Sequence, residues 1–491
     1  MIRACRELGI ESVAVFSDAD ADALHVRMAD RAERIGPAAP AESYLSVAAL
    51  VDAARRSQAD AIHPGYGFLS ESAAFAEAVD VAGIVFVGPT AQTLATLGDK
   101  LAARNAAFAA GVPIVPGLRV PLGDASLAAG DLAEVGFPAL LKAAAGGGGR
   151  GMRRVDGPDQ IDDALVRASR EALSAFGDGT IYLERLLSPA RHVEVQLLGD
   201  RFGGLAILGE RECSVQRRHQ KLVEESPSPA VTPHLREALA ESSRRLAGAV
   251  EFENAATVEF LVDADANHYF LEMNTRLQVE HGVTEAVTGL DLVAWQIRIA
   301  AGERLPPEVL AAVPTGHAFE ARIYAEDPHD GFRPTPGRVG TWEMPAGPGV
   351  RIDAGVSEGS LLPTEYDPLL AKLIVYAADR PAALARLRRA LDETLVGGLQ
   401  TDLSFLGWLV DEPGFAAGSY DTDLVADRWG EGPALPAEEA SIAAFVASEA
   451  RRGIAVSVAG RTTAAAPASE ADNCAWGAVA RREAIDRRRS R

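Results

Sequence analysis

The chain has 491 residues, 48% of them hydrophobic, with a formal net charge of −21. That length accommodates about three domains of roughly 150 residues with sizeable cores, and the acidic balance argues against nucleic acid or an anionic membrane as the main partner. Cys5, Cys213 and Cys474 form neither a disulfide framework nor a zinc spacing and fit a reducing, cytoplasmic setting; there is no membrane-length apolar run and no signal-peptide pattern.

Residues 1–98 alternate helix and strand: "IRACRELGI" reads as helix, "SVAVF" as strand, "YLSVAALVDAARRS" as helix, "ADAIHPGYG" as strand and loop, "ESAAFAEAVDVAG" as helix and "IVFVG" as strand. This predicts a parallel α/β sheet with ligand loops at the strand C-termini. The alternation opens on a helix with no strand before it. Residues 100–113 read as helix, and "GVPIVPG" breaks it. β-runs dominate 137–275, followed by a helix over 291–302 and a mixed α/β cap over 317–424. Residues 432–491, rich in Ala, Pro and Glu and then in Arg, read as linker or weakly ordered helix.

Within the β-rich part, "LLKAAAGGGGRGMRRV" (140–155) places four glycines between an apolar run ending at Lys142 and a returning alternating run. A glycine tip between paired strands, flanked by Lys142 and Arg150, suits a flap over a polyphosphate; a flexible linker is the plainer reading. No Gly-Lys-Ser/Thr follows, so it is not a Walker A loop.

"ATVEFLVDADANHYFLEMN" (256–274) reads as a hairpin with its turn at Ala264–Asn267 and Asp263 opposite His268. That register sets Glu259 opposite Glu272, with Asn274 on the same face as Glu272. Like charges directly opposite are unfavourable unless something compensates. Two carboxylates and an amide oxygen are hard ligands suited to Mg²⁺ or Mn²⁺; a salt-bridged surface hairpin is the alternative. In "TRLQVEHGVTE" (275–285), Arg276, Gln278 and Glu280 share a face if the strand continues. Arg276 could clamp a planar anion and Glu280 act as a base, or the two could simply pair. "GERECSVQRRHQKLVEESP" gathers Arg211, Arg217, Arg218, His219 and Lys221, either around an anion or as a solvated basic turn.

"AIHPGYGFLSE", "GDK", "KAAAGGGGRGMR", "RHVEVQ", "ERECSVQRRHQK", "FLEMNTRLQVEH", "HAFEARIYAEDP" and "YDPLLAKL", in this order over residues 1–424, resemble biotin carboxylase, an ATP-grasp enzyme. The resemblance implies an N-terminal parallel α/β domain (1–98), an ATP-grasp domain (99–300) with a mobile lid (about 115–187), a C-terminal α/β cap (316–424) and a linker-like tail (425–491). It implies ATP binding by Lys100, Lys142, the Gly148–Gly149 backbone, Glu184, Arg185, Leu186, Leu187, His192, Gln216 and His219, and divalent metal on Glu259, Glu272 and Asn274. Bicarbonate would sit on Lys221, Arg276, Gln278 and the Val279 amide, Glu280 would take its proton, and Arg322 would stabilise the biotin enolate. Implied partners are a biotin carboxyl carrier, a carboxyltransferase subunit and a second copy of the chain.

This sequence departs from the family pattern at Ala145, where a Gly is usual, and at Gly282, where Pro commonly follows Glu-His. The family's first strand and the loop after it have no counterpart before helix 1–9, and there is no "MKM"-like biotin attachment site. The expectation is therefore a shortened first domain and biotin supplied from elsewhere. Two other readings stay open: a different ATP-grasp ligase forming an acyl or carbamoyl phosphate, and a non-catalytic assembly subunit.

Overall fold

A computed structural model describes residues 1–118, 121, 122, 132, 135–144, 152–430 and 432. Helices Ile2–Glu7, Val47–Ser57 and Ala73–Val81 alternate with strands β1 (Val13–Ser17), β2 (Arg31–Gly36), β3 (Ala61–Ile62) and β4 (Val85–Phe86). Ser46 and Ser72 cap the latter two helices by accepting from the backbone N–H of Ala49 and Phe75. β2, "RAERIG", is absent from the sequence reading because its outer half is charged and exposed.

The single parallel sheet expected here is two sheets. Among the described residues β1 pairs only with β2, and β3 only with β4, both in parallel. Each strand keeps one edge without a strand partner. A cavity of about 1680 Å³, lined in part by Ser12–Val15, Asp60–Pro64 and helix Ile2–Glu7, runs between the pairs.

A small unit follows: β5 (Ala139–Ala143), β6 (Met152–Val155) and β7 (Ile181–Arg185) in the order β6-β5-β7, all antiparallel, covered by helix Ile161–Phe176. Lys142 pairs with Met152 across β5 and β6, as a returning strand requires. The glycine tip itself, with Gly148, Gly149 and Ala145, lies outside the described residues.

The largest sheet has eight antiparallel strands. β8 (Arg191–Gly199), β9 (Leu205–Arg217), β10 (Gln220–Ser226), β11 (Asn254–Val262), β12 (His268–Asn274) and β13 (His317–Tyr324) are joined by Leu369–Ala377 and Val350–Ala354. Their order is β12-β11-β8-β9-β10-β13, then Leu369–Ala377, then Val350–Ala354. β10 of the expected ATP-grasp part pairs directly with β13 of the expected cap, so one hydrogen-bonded sheet crosses that boundary. Helices Ile161–Phe176 and Pro233–Ala249 interrupt the stretch read as β-dominated. The second is capped by Thr232, with Pro233 in its first turn.

At the C-terminal end, Leu424–Arg428 is a helix, and Leu424, Val425 and Trp429 are buried in the cap's core. The linker-like tail therefore does not begin at 425, because these apolar side chains cover Phe405 and its neighbours. Residues 433–491 lie outside the described residues.

Candidate active site

The β11–β12 hairpin sets Glu259 opposite Glu272, as the alternation predicts. The register beyond them differs. A bulge between Glu259 and Phe260 shifts the pairing by one, so Val262 faces His268 and the Asp263 N–H donates to Asn267 O. The predicted Asp263–His268 pair is thus corrected at the tip; the bulge absorbs the difference and preserves the pair of carboxylates.

Cations compensate both carboxylates. Lys100, at the start of a helix capped by Asp99, places Nζ 3.0 Å from Glu272 Oε2. Glu259 receives His192 Nε2 at 2.8 Å, Lys221 Nζ at 3.0 Å, Asn274 Nδ2 at 2.9 Å and Gln278 Nε2 at 3.2 Å. Burial would raise the Glu259 pKa, but Lys221 and His192 hold it below the usual carboxylate range. Lys100 does the same for Glu272. His192 is pushed down by burial and pulled back above its ordinary value by Glu259.

Beside this pair, Lys142 on β5 and Arg104 on helix Lys100–Ala109 both reach Glu184 on β7, at 2.5 and 2.7 Å. Arg185 turns away to Val135 O, and the Leu186 N–H donates to Pro138 O. His219 occupies the two-residue turn between β9 and β10, where Arg218 and His219 both have positive φ (48° and 68°). Its pKa is lowered by burial first and then by Lys142, His192 and Lys100. Those cations therefore converge on one place.

Lys221 follows that turn, opposite Gln216. Its ammonium lies 2.6 Å from Glu194 Oε2, 3.0 Å from Glu259 Oε1 and 2.5 Å from Glu280 Oε1. Burial works against its charge, but the three carboxylates hold its pKa well above the ordinary value. Glu280 is fully buried and also receives Arg322 NH2 at 3.0 Å. Burial would raise its pKa, yet Lys221 and Arg322 drive it well below the usual range. Arg322 Nε also donates to Glu224 Oε1 at 2.7 Å. Glu224 is lifted to about 7, chiefly by burial, against the pull of Arg322.

The condition for Arg276, Gln278 and Glu280 to share a strand face is not met: the strand ends at Asn274, and helix His281–Thr288 begins after a turn. Glu71 accepts the Thr275 N–H and Arg276 Nε at 3.1 and 3.0 Å, while Lys372 Nζ donates to Val279 O. These partners bend the chain away from the sheet. Arg276 pairs with Glu71, not Glu280; it also reaches Gln278 Oε1 at 3.1 Å and Asn274 Oδ1 at 3.2 Å. The basic run does not converge as a unit either. Arg211 is fully buried among Glu194, Gln196, Thr257 and Thr284, and Arg217 lies over Phe332.

Three family models match the chain in succession: the biotin carboxylase N-terminal domain over residues 1–94, the carbamoyl-phosphate synthase L chain ATP-binding domain over 99–308, and the biotin carboxylase C-terminal domain over 320–427. A biotin carboxylase of Halalkalibacterium halodurans is 47% identical over 428 residues, covering 87% of this chain and 94% of that protein. The chain belongs to the biotin carboxylase family. The soybean (Glycine max) mitochondrial methylcrotonoyl-CoA carboxylase subunit alpha is 47% identical over 424 residues, 86% of this chain, and this chain spans 58% of its length. Among solved structures, a Campylobacter jejuni biotin carboxylase superimposes with a TM-score of 0.83 at 42% identity, covering 87% of this chain and 95% of its own. The biotin carboxylase domain of Hydrogenobacter thermophilus 2-oxoglutarate carboxylase, a dimer with MgADP, ADP and bicarbonate, gives 0.84 at 41% identity, covering 89% and 96%.

Glu71, Arg104, Glu194 and Glu224 join the site without having been singled out in the sequence. Glu194 was within reach of strand periodicity, two residues from His192 on one face of β8. Glu71 closes the motif "AIHPGYGFLSE" but lies far along the chain from its partners; Arg104 is distant too, and no motif marks it.

Proposed function

We propose that this biotin carboxylase family member carboxylates biotin with bicarbonate at the expense of ATP. The observation that carries this reading is the Lys221–Glu280–Arg322 chain: a buried carboxylate held ionised between two cations. An ionised carboxylate can take a proton, and the flanking cations can hold a small anion and a developing oxyanion.

In this reading Arg276, Lys221, Gln278 and the Val279 amide orient bicarbonate, and its proton passes to Glu280. A bicarbonate oxygen attacks the γ-phosphorus of ATP and ADP leaves, giving carboxyphosphate, which splits into CO₂ and phosphate beside biotin; the released phosphate takes the biotin N–H proton, and the enolate so formed attacks CO₂. Lys100, Lys142, His192, Gln216 and His219 neutralise and place the phosphates, so the barrier falls mainly through charge and position. Arg322 then turns to the biotin enolate. Glu259, Glu272 and Asn274, two facing carboxylates below their usual pKa and an amide, fit Mg²⁺ or Mn²⁺, which supplies further charge neutralisation when bound.

The same reading has biotin arriving on a carrier protein or domain, the product passing to a carboxyltransferase, and two copies of the chain pairing in the cytoplasm. No helix among the described residues is long and apolar enough to cross a membrane. The test is phosphate release by the purified chain with ATP and Mg²⁺. It should depend on bicarbonate and accelerate with free biotin. Release that needs bicarbonate but ignores biotin would favour another acyl-phosphate-forming ligase, and release indifferent to both would overturn the assignment.

A further inference from the structure

Outside the residues assigned so far, one buried cation bears on the base from behind. Lys372 lies in strand Leu369–Ala377, directly opposite Arg322 of β13 on one side and Asp353 on the other. Its side chain is 5% exposed. Nζ donates to Val279 O at 2.5 Å, with Glu320 Oε2 at 3.5 Å and Asp353 Oδ2 at 3.6 Å. Two cations facing each other across a sheet are unfavourable unless each has its own counter-charge. Arg322 has Glu224 and Glu280, and Lys372 has Asp353, with the Glu320 carboxyl beside it.

The Val279 carbonyl is one residue before the base. The turn 275–280 has no strand pairing; two side chains from distant chain hold its backbone, Glu71 at the Thr275 N–H and Lys372 at the Val279 carbonyl, while Glu259, Lys221 and Arg322 hold the side chains of Gln278 and Glu280. We propose that Lys372 is a positioning residue for the carboxylation site: by gripping the Val279 carbonyl it fixes the turn that presents the Val279 amide and Glu280. The inference rests on the function proposed above. A buried ammonium is a costly way to satisfy one carbonyl, and it is well spent if a small misplacement of that turn costs rate.

The variants are Lys372→Met, which keeps length and removes the charge; Lys372→Arg, which keeps the charge; and Lys372→Met/Glu320→Gln, which removes the buried acid that the first variant orphans. The first readout needs no activity: hydrogen exchange of the segment 275–285 in the full chain. Exchange there should quicken in both Met variants and return towards the parent in the Arg variant. The second readout is bicarbonate-dependent ATP cleavage. The bicarbonate KM should rise tenfold to a hundredfold, on the order expected for a misplacement of about 1 Å, while the ATP KM stays within about twofold, and Arg should recover part of the loss. Unchanged exchange in the double variant, or equal losses for ATP and bicarbonate, would overturn the proposal. A parent chain that cleaves ATP without regard to bicarbonate, while the Met variants still show the faster exchange, would overturn the functional reading and leave the clamp standing as structure.

Discussion

Two charge clusters sit side by side in this site with opposite stoichiometry. Around Glu184, one carboxylate faces two cations, Arg104 and Lys142. Around Lys221, one ammonium faces three carboxylates, Glu194, Glu259 and Glu280. The first has positive charge to spare and suits phosphate. In the second, each carboxylate also keeps a cation of its own, Arg211 at Glu194, His192 at Glu259 and Arg322 at Glu280, so Lys221 is shared among three acids held ionised, one of which can take a proton. In a chain of net charge −21 the division is local: strands β5 and β7 set up one cluster, and β8, β10 and β11 the other.

The largest test of this contrast removes the central lysine of each cluster. Lys221→Met withdraws a shared ammonium from three buried carboxylates. Breaking such a buried pair costs about 3–5 kcal/mol, so the melting temperature should drop by many degrees. Lys142→Met leaves Glu184 with Arg104. It should cost little stability but weaken nucleotide binding about tenfold, or ~1.4 kcal/mol. Thermal melting and nucleotide titration of both variants check this. Equal melting losses would mean that the two clusters are alike and the stoichiometry says nothing.

A second test separates the two arginines. Arg322→Ala should slow biotin carboxylation about a hundredfold, near 3 kcal/mol, because a charge-assisted contact to a developing anion is lost. It also frees Glu280 of one counter-ion, so the acid limb of the pH–rate profile should move up. The Glu280 pKa starts well below its ordinary value, so this upward shift is the required sign. Arg276→Ala should impair bicarbonate-dependent ATP cleavage as well as carboxylation and move that limb less, since Arg276 pairs directly with Glu71 and acts on Glu280 only from a distance. Identical profiles in the two variants would collapse the distinction between their roles.

Which parts of this were legible in the sequence follows from how each contact is made. The Glu259–Glu272 pair was readable because alternation within one hairpin fixes it, and the bulge beyond it did no harm. The course of 275–280 has no local signal: its apolar–polar alternation is that of a strand, while its partners, Glu71 and Lys372, come from remote chain and turn it aside. Helix Ile161–Phe176 could have been read, since Ile161, Ala164, Ala168 and Ala172 line one buried face at helical spacing. The division of the first sheet into two pairs has no local signal, because β3 and β4 are two residues each and pairing is decided by tertiary placement. The residues named through the family motifs account for the front of the site. The counter-charges behind it became visible only with the fold.

The smallest effect concerns a third group of carboxylates, which titrate in the opposite sense to the base. Glu320 is fully buried, and neither oxygen has a hydrogen-bond partner. Burial above all lifts its pKa to about 8; Lys372 pulls it down and the Glu224 carboxylate pushes it up. An acid whose pKa is raised on folding binds more protons folded than unfolded between its ordinary value of 4.5 and 8. Its contribution to stability is therefore complete below about pH 4.5 and is lost as the pH rises to 8, the reverse of the contribution of Glu280. Glu320→Gln keeps the shape of the protonated acid and cannot ionise. Parent and variant should melt alike near pH 5, and the variant should be the more stable near pH 9 by about 1–2 kcal/mol, part of the full shift being absorbed by Lys372. Glu224, also raised, leaves a residual slope of the same sign in the variant. Melting curves at pH 5, 7 and 9 decide it. If the two proteins lose stability in parallel from pH 5 to 9, Glu320 is already ionised in the folded chain, and Lys372 is paired with a full negative charge.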